Sequence, residues 1–362
     1  MAGESAAISE EERTLLRDTV RGMLAEEWPV EGAVERASDP SAMERIWQSL
    51  SRQGLTKLGF DPEESGLREI LVVFEELGRA SCPAPVLGAV LVNLLARQGR
   101  GAAEGLASLC EALHSGSSVA AIGFGAFDGD EAAGRIRFRD GGVSGRVAFV
   151  ENASTATHFV LFVDEPAGVV VLPADAASSV VPTHGLAVPA LSELAFTGTN
   201  AALIDAPAAR LSELAEIARL CCAARALGAA QRGFELALDH AKTRKQFGQF
   251  IGQFQAIQHK LADCLIRLDG ARLTLDASAT AFDRELDSWQ TFAAAALAYA
   301  GPGLRQVVLE SHHTMGAIGY AEEHEMPRHF RRIHADLTRF GGVNRARAKL
   351  ADYLLGPAAP LR

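Results

Sequence analysis

Few residues in this chain carry a pattern that chemistry could use, and the plainest is Arg244 with Phe247 in the stretch TRKQFGQF. Three positions apart, the two share a face on a helix or on its first turn. A guanidinium is a bidentate ligand for phosphate, and an aromatic edge beside it excludes water. The alternative for the pair is a solvated arginine and a core phenylalanine. Other patterns exclude chemistry. His324, His329 and His334 follow one another at intervals that place successive side chains about 140° apart on a helix, so they do not converge on a metal. They read as surface or packing histidines. GFGAFDG, Gly123 to Gly129, is not GxGxxG, and no helical pattern follows it, so a Rossmann site is rejected. The cysteines Cys82, Cys110, Cys221, Cys222 and Cys264 form neither a CxxC pair nor a metal spacing. They read as buried, reduced thiols.

The elements that must position these residues are helical at both ends. From Ser9 to about Gln98 the apolar residues recur at helical spacing, with Leu15, Val20, Met23 and Leu24 on one stripe. After about Gly116 short β-rich runs take over: IRFRDGGVSGRVAFV, HFVLFVDEPAGVVVLP and LSELAFTG. Asp140-Gly-Gly142 and Glu165-Pro-Ala-Gly168 read as hairpin turns. From about Leu211 the chain is helical again. Leu211–Lys242, Gln253–Asp283 and Asp287–Thr314 are long helices, with Pro302 expected to kink or split the last. A final helix starts near Asn344 and stops at Gly356-Pro357. The expected class is α+β, mainly α. Residues 1–115 form an N-terminal helical domain, 116–208 a middle β-barrel domain, and 209–362 a C-terminal four-helix bundle.

Composition narrows the partners. The chain has 362 residues, 48% hydrophobic and 22% charged, which suits a globular protein of several domains. A net charge of −10 argues against nucleic acid, whose phosphates require clustered Lys and Arg, and confines any phosphate site to a local patch. The start, MAGESAAISEEERTLL, is acidic where a signal peptide would be basic. The longest apolar stretch, around Pro85 to Ala96, is too short to span a membrane and is interrupted by Asn93. A cytoplasmic location is expected.

Three stretches resemble acyl-CoA dehydrogenases: TRKQFGQFIGQFQAIQHKLADC (Thr243 to Cys264), HTMGAIGYAEEHEMPRHFRR (His313 to Arg332) and VSGRVAFVENAS (Val143 to Ser154). The N-terminal LTKLGFDPEESG…VVFEELGRA fits the same family's helical domain. In such proteins a glutamate removes the α-proton of an acyl thioester while the β-carbon gives a hydride to the N5 of FAD. The resemblance implies that Arg244 pairs with the FAD pyrophosphate and Phe247 packs beside the adenosine half, with Gln246 also among the cofactor-binding residues, on the flavin of a neighbouring subunit. It further implies that His313, Gly316, Ala317 and Gly319 form a second FAD-contacting turn, glycines letting backbone N–H groups reach a phosphate. His313 stands there in place of the usual glutamine and Ala317 in place of a glycine.

The family's base is missing. In one position Phe340 stands in the glutamate's place, within Thr338-Arg-Phe-Gly341. In the other, immediately before Arg219, stands Ala218. Glu216, which matches an acidic position that elsewhere helps bind substrate, points about 160° away from residue 218 on a helix. It is a weak candidate base, and Arg219 remains a substrate-side residue. Phe149 replaces a common tryptophan. Glu151 replaces a threonine that bonds the flavin ring, where a carboxylate opposes a reduced, anionic flavin. The resemblance therefore points to the non-catalytic subunit of a heteromeric, α2β2-type actinobacterial acyl-CoA dehydrogenase acting on an acyl-CoA thioester. Such a subunit completes a catalytic partner's FAD site. The alternatives are a self-sufficient acyl-CoA or acyl-carrier-protein dehydrogenase, homotetrameric, with a base relocated to Glu216 or Glu151, and a flavin-free scaffold.

Overall fold

The structure is a computed structural model that describes residues 9–97, 100–129, 131–183, 185 and 190–356. Most of the acidic start and Pro357 lie outside the described residues. Six helices come first: α1 Glu10–Glu27, α2 Ala33–Ser38, α3 Pro40–Arg52, α4 Leu67–Arg79, α5 Val86–Ala96 and α6 Arg100–His114. Eight strands follow: β1 Ala120–Gly123, β2 Gly134–Arg139, β3 Gly142–Glu151, β4 His158–Val163, β5 Gly168–Pro173, β6 Ser179–Pro182, β7 Leu191–Asn200 and β8 Leu203–Asp205. Then come α7 Ala208–Thr243, the short hairpin β9 Lys245–Gln246 and β10 Gln249–Phe250, α8 Gln255–Asp283, α9 Trp289–Met315, α10 Met326–Thr338 and α11 Gly342–Leu355. The order of helices, strands and helices is the one the sequence pattern implies.

The chain forms two compact units. The first comprises residues 1–9, 31–70 and 83–219, the second residues 10–30, 71–82 and 220–362. In the first unit the strands make two four-stranded sheets, ordered β1-β4-β5-β8 and β2-β3-β7-β6. Among the described residues only β1 and β4 run parallel; the other pairs are antiparallel. Alternating side chains from both sheets, among them Val143, Val147, Phe159, Leu161, Leu194 and Phe196, fill one core. The β2–β3 turn falls where DGG predicts it. Asp140 and Gly141 both have φ > 0 (51° and 76°), the backbone of a two-residue type I′ hairpin. Helix α5 is buried along its whole length and crosses β1 backbone to backbone: a Cβ on Gly88 would stand 1.8 Å from the Ala120 carbonyl oxygen.

The second unit is a helical bundle, with α9 packed on α8, α10 and α11. Helix α1 buries Val20 and Leu24, but Leu15 of the same predicted stripe is 67% exposed, because at 100° per residue it lies about 140° from Val20 and on the side opposite Leu24. Helix α9 runs through Pro302 without splitting. The proline removes one N–H and crowds the backbone carbonyl of Ala298, a local cost that does not end the helix. The region Trp289–Tyr320 also exceeds the Pro85–Ala96 stretch as the longest apolar run: by length and composition it could cross a membrane, and half of its apolar window is buried. Its alanines let neighbouring helices approach, and that packing accounts for the burial.

A buried ion pair ties this bundle. Arg225 donates from Nε to Asp336 Oδ2 (2.9 Å) and from Nη2 to Oδ1 (2.6 Å), with both side chains almost fully buried. Removing one charge leaves the other stranded in low dielectric. Asp336→Asn is therefore expected to cost about 3–5 kcal/mol, read as a lower midpoint in denaturant. A second network joins the end of α4 to α10. Ser81 Oγ lies 3.1 Å from His329 Nδ1, His329 Nε2 lies 3.4 Å from Glu325, and Arg232 grips Glu325 through Nε and Nη2. Burial pushes the Glu325 carboxyl up, but hydrogen bonds from His329 and Arg232 outweigh it and hold the pKa at about 2. A depressed carboxylate stabilises the fold above its unfolded value and loses that contribution as pH falls toward 2. Between about pH 4.5 and 3 the wild-type melting temperature is thus expected to fall more steeply than that of Glu325→Gln, which starts lower.

Candidate functional site

Arg244 and Phe247 do not sit on a helix. Helix α7 ends at Thr243, and the next residues turn back as a two-stranded hairpin in which Gln246 faces Gln249. Phe247 (φ 52°) and Gly248 (φ 81°) form its two-residue loop, both in the left-handed region. Gly248 suits this turn, because a type I′ turn needs such backbone and glycine adopts it freely. The hairpin is anchored by the Arg244 N–H donating to the His240 carbonyl (2.9 Å) and the Ile251 N–H donating to the Arg244 carbonyl (2.9 Å). Its side chains face outward. Phe247 is 92% exposed and meets only the edge of Phe254, while Lys245 Nζ lies 4.6 Å over the Phe250 ring. Arg244 and Gln246 are exposed, and among the described residues no carboxylate pairs with the Arg244 guanidinium. An unneutralised guanidinium beside an uncovered aromatic ring fits an anionic, partly apolar ligand such as a dinucleotide.

The second predicted segment closes α9. Gly316 (φ 63°) donates its N–H to the His312 carbonyl and starts a 3-10 turn, Gly316–Tyr320. Gly316 and Ala317 are exposed, Gly319 is buried, and a Cβ on Gly319 would stand 3.1 Å from Met315 Cβ and 3.4 Å from His312 Nδ1. Packing beneath the turn is close enough at 319 that a side chain there would press on Met315 and His312. His313 points outward, 3.6 Å from Glu310, which Lys260 also holds at 2.8 Å. The hydrogen bond from Lys260 chiefly keeps the Glu310 carboxyl below its ordinary range. The residue that sequence reasoning missed is His312, 3% exposed under the turn; its helical phase, about 100° around from His313, was the available signal. The hairpin and the turn are electrostatic neighbours: His240, one turn before Arg244, feels both Arg244 and His324, and His324 in turn acts on His312.

The two glutamate positions hold apolar, buried side chains. Ala218 is fully buried on α7. Phe340 is 1% exposed with φ 58°, and the Arg339 guanidinium lies 4.7 Å over its ring. Glu216 is buried and ion-paired with Arg219, which extends Nη2 toward the carbonyl oxygens of Phe127 (3.4 Å) and Asp128 (3.5 Å). Those carbonyls belong to the 3-10 turn Gly125–Asp128 of GFGAFDG. Arg219 thereby fastens Glu216 and this turn into one block of the first unit. Glu151 is buried at the end of β3, past a bulge between Val147 and Val150 and flanked by the left-handed residues Phe149 and Asn152. The histidines 324, 329 and 334 take separate partners: the Met326 N–H, Ser81 with Glu325, and the Phe330 carbonyl. All five cysteines are buried and unbridged, and burial pushes the Cys110 and Cys264 thiols up to about 11.

Comparison with known proteins agrees with this geometry. The profile described as acyl-CoA dehydrogenase, N-terminal domain matches residues 10–103, and acyl-CoA dehydrogenase, C-terminal domain matches residues 209–354. The acyl-CoA dehydrogenase IpdE2 of Mycolicibacterium smegmatis is 30% identical over 91% of this chain and 95% of its own length. IpdE2 of Mycobacterium tuberculosis is 29% identical over 90% and 91%. The crystal structure of the ChsE4-ChsE5 complex from Mycobacterium tuberculosis shares the fold, with a TM-score of 0.84 at 22% identity over 97% of this chain and 99% of that one. Sequence motifs, element order and relatives of matching length converge, and the chain belongs to the acyl-CoA dehydrogenase family.

Proposed function

We propose that this chain is a subunit of a heteromeric, FAD-dependent acyl-CoA dehydrogenase that completes the flavin site of a catalytic partner and does not itself supply the base. The observation that carries this reading is a contrast. Phe340 and Ala218, at the two glutamate positions, are buried and unable to take a proton, whereas Arg244, Gln246 and Phe247 stand exposed. FAD, when bound, supplies the hydride acceptor for α,β-desaturation of the acyl thioester. This chain's residues would bind and orient it: Arg244 would hold the pyrophosphate, Phe247 would pack beside the adenosine half with Gln246 next to it on the hairpin, and the turn carrying His313, Gly316, Ala317 and Gly319 would lie against the same molecule through the exposed His313, Gly316 and Ala317. Arg219 holds Glu216 on the substrate side, and that pairing argues against Glu216 as a relocated base.

Two further observations favour an assembly. Helix α9 exposes Phe292, Tyr299 and Leu309, and the adjacent α8 exposes Ile266 and Leu273, an apolar stripe at heptad-like spacing. A chain of the same fold occurs in a two-component complex, ChsE4-ChsE5. The test is the visible spectrum of the chain purified alone and again with its partner. A colourless protein that turns yellow only with the partner is expected. Flavin in the isolated chain, bleached by an acyl-CoA, would mark a self-sufficient enzyme with a relocated base. No flavin in either preparation would mark a scaffold.

A further inference from the structure

Five of the ten histidines, His240, His312, His313, His324 and His334, belong to the region of the second unit that carries the Gly316–Tyr320 turn and the base of the Arg244 hairpin. His312 is the buried centre. Its ring meets Tyr320 (centroids 4.8 Å apart) and the edge of Phe330 (5.0 Å), and Phe330 stacks on His334 (4.1 Å). Neither His312 ring nitrogen has a hydrogen-bond partner among the described residues. The titratable groups that face it are Tyr320 from the turn, His313 from its own helix, His324 from the segment before α10, and His334 from α10. No charged side chain of α8 or α11 faces it among the described residues. A proton on His312 would thus enter a buried, aromatic surround with bases and no carboxylate for company.

His324 ties the segment after the turn to the next helix: its Nδ1 accepts the N–H of Met326, the first residue of α10, at 3.1 Å.

We propose that His312 forms an acid-sensitive latch: its neutral, buried imidazole between Tyr320 and Phe330 holds the Gly316–Tyr320 turn closed, and its protonation opens the turn. Burial first, and then the neighbouring imidazoles, keep His312 below its ordinary value, so the closed turn stays neutral at a pH where an opened one is charged. The closed form is therefore at full stability above the ordinary histidine value of about 6.5 and weakens as pH falls below it. For its consequence, release of a partner's flavin at low pH, the latch rests on the function proposed above; the opening itself does not.

The test is hydrogen exchange of the full chain at about pH 7.5 and about pH 5.5, corrected for intrinsic rates. Protection across residues 310–320 is expected to fall about tenfold or more, while α8 keeps its protection. The variant His312→Phe should hold protection equal at both pH values. An unchanged wild type, or a variant that loses protection as the wild type does, would overturn the latch. Should the variant not fold, the imidazole resonance of His312 in the wild type decides: titration at its ordinary value with no backbone change would sink it. Flavin retention by the co-purified assembly at the two pH values separates the two proposals. A turn that opens while flavin stays supports the latch and removes the turn from the flavin site.

Discussion

Arg244→Ala, introduced into the assembly with the catalytic partner, is expected to strip most of its flavin while leaving the partner bound. The guanidinium is exposed at the foot of a hairpin, with no carboxylate among the described residues to neutralise it, so its charge is available to a pyrophosphate. Truncating one member of a desolvated, hydrogen-bonded charge pair costs about 2–5 kcal/mol, a weakening of roughly thirty- to several-thousand-fold. Arg244→Lys should recover some of the loss, since it keeps the charge and gives up the planar fork. The apolar stripe on α8 and α9 does not include the hairpin, so co-purification should be unaffected. The readout is the ratio of flavin absorbance to protein absorbance after gel filtration. Full occupancy in Arg244→Ala would remove the hairpin from the flavin site and with it the main support for a shared one.

The second large effect concerns two glycines. In the second unit α4 and α7 cross with their backbones touching. A Cβ on Gly228 would stand 1.7 Å from the Glu75 carbonyl oxygen, and one on Gly78 would stand 1.8 Å from that of Arg225. The obstructing atoms are backbone, so neither can swing aside. Gly228→Ala gains up to about 1 kcal/mol of helix propensity, yet it must force the helices apart and loses about 3 kcal/mol or more of packing. Packing wins. Gly22→Ala on α1 is the control: a Cβ there meets nothing within 4 Å, so the same substitution should stabilise by a fraction of about 1 kcal/mol. Thermal melts of wild type and both variants test both signs. A Gly228→Ala protein as stable as the wild type would mean that the helices do not cross this closely.

How much of this was legible without coordinates differs from residue to residue. The DGG turn was readable because two consecutive left-handed residues can be accommodated by few side chains, and the β2–β3 hairpin sits there. The helical placement of Arg244 and Phe247 was wrong for a related reason. Gly248 after a long helical run signals a stop, but the hairpin also places Phe247 at φ 52°, which an aromatic residue rarely adopts and local propensity does not foresee. Pro302 does not split α9, because the lost N–H and the crowding of the Ala298 carbonyl are local backbone costs that a helix packed along its length can absorb.

Residue types and spacing by themselves determined the alternation of helical and strand regions, the family, and the absence of a carboxylate at positions 218 and 340, since each depends on local periodicity or on identity at a matched position. Only the tertiary structure decided which groups are available. Glu216 is engaged by Arg219, Arg225 is matched to Asp336, and His312 lies sealed beneath Gly319 while its neighbour His313 faces outward. Burial and charge pairing arise between residues far apart in the chain, as in the pairing of Arg13 with Asp276, 263 positions away. No local pattern encodes them, because their energies depend on what the rest of the chain places alongside.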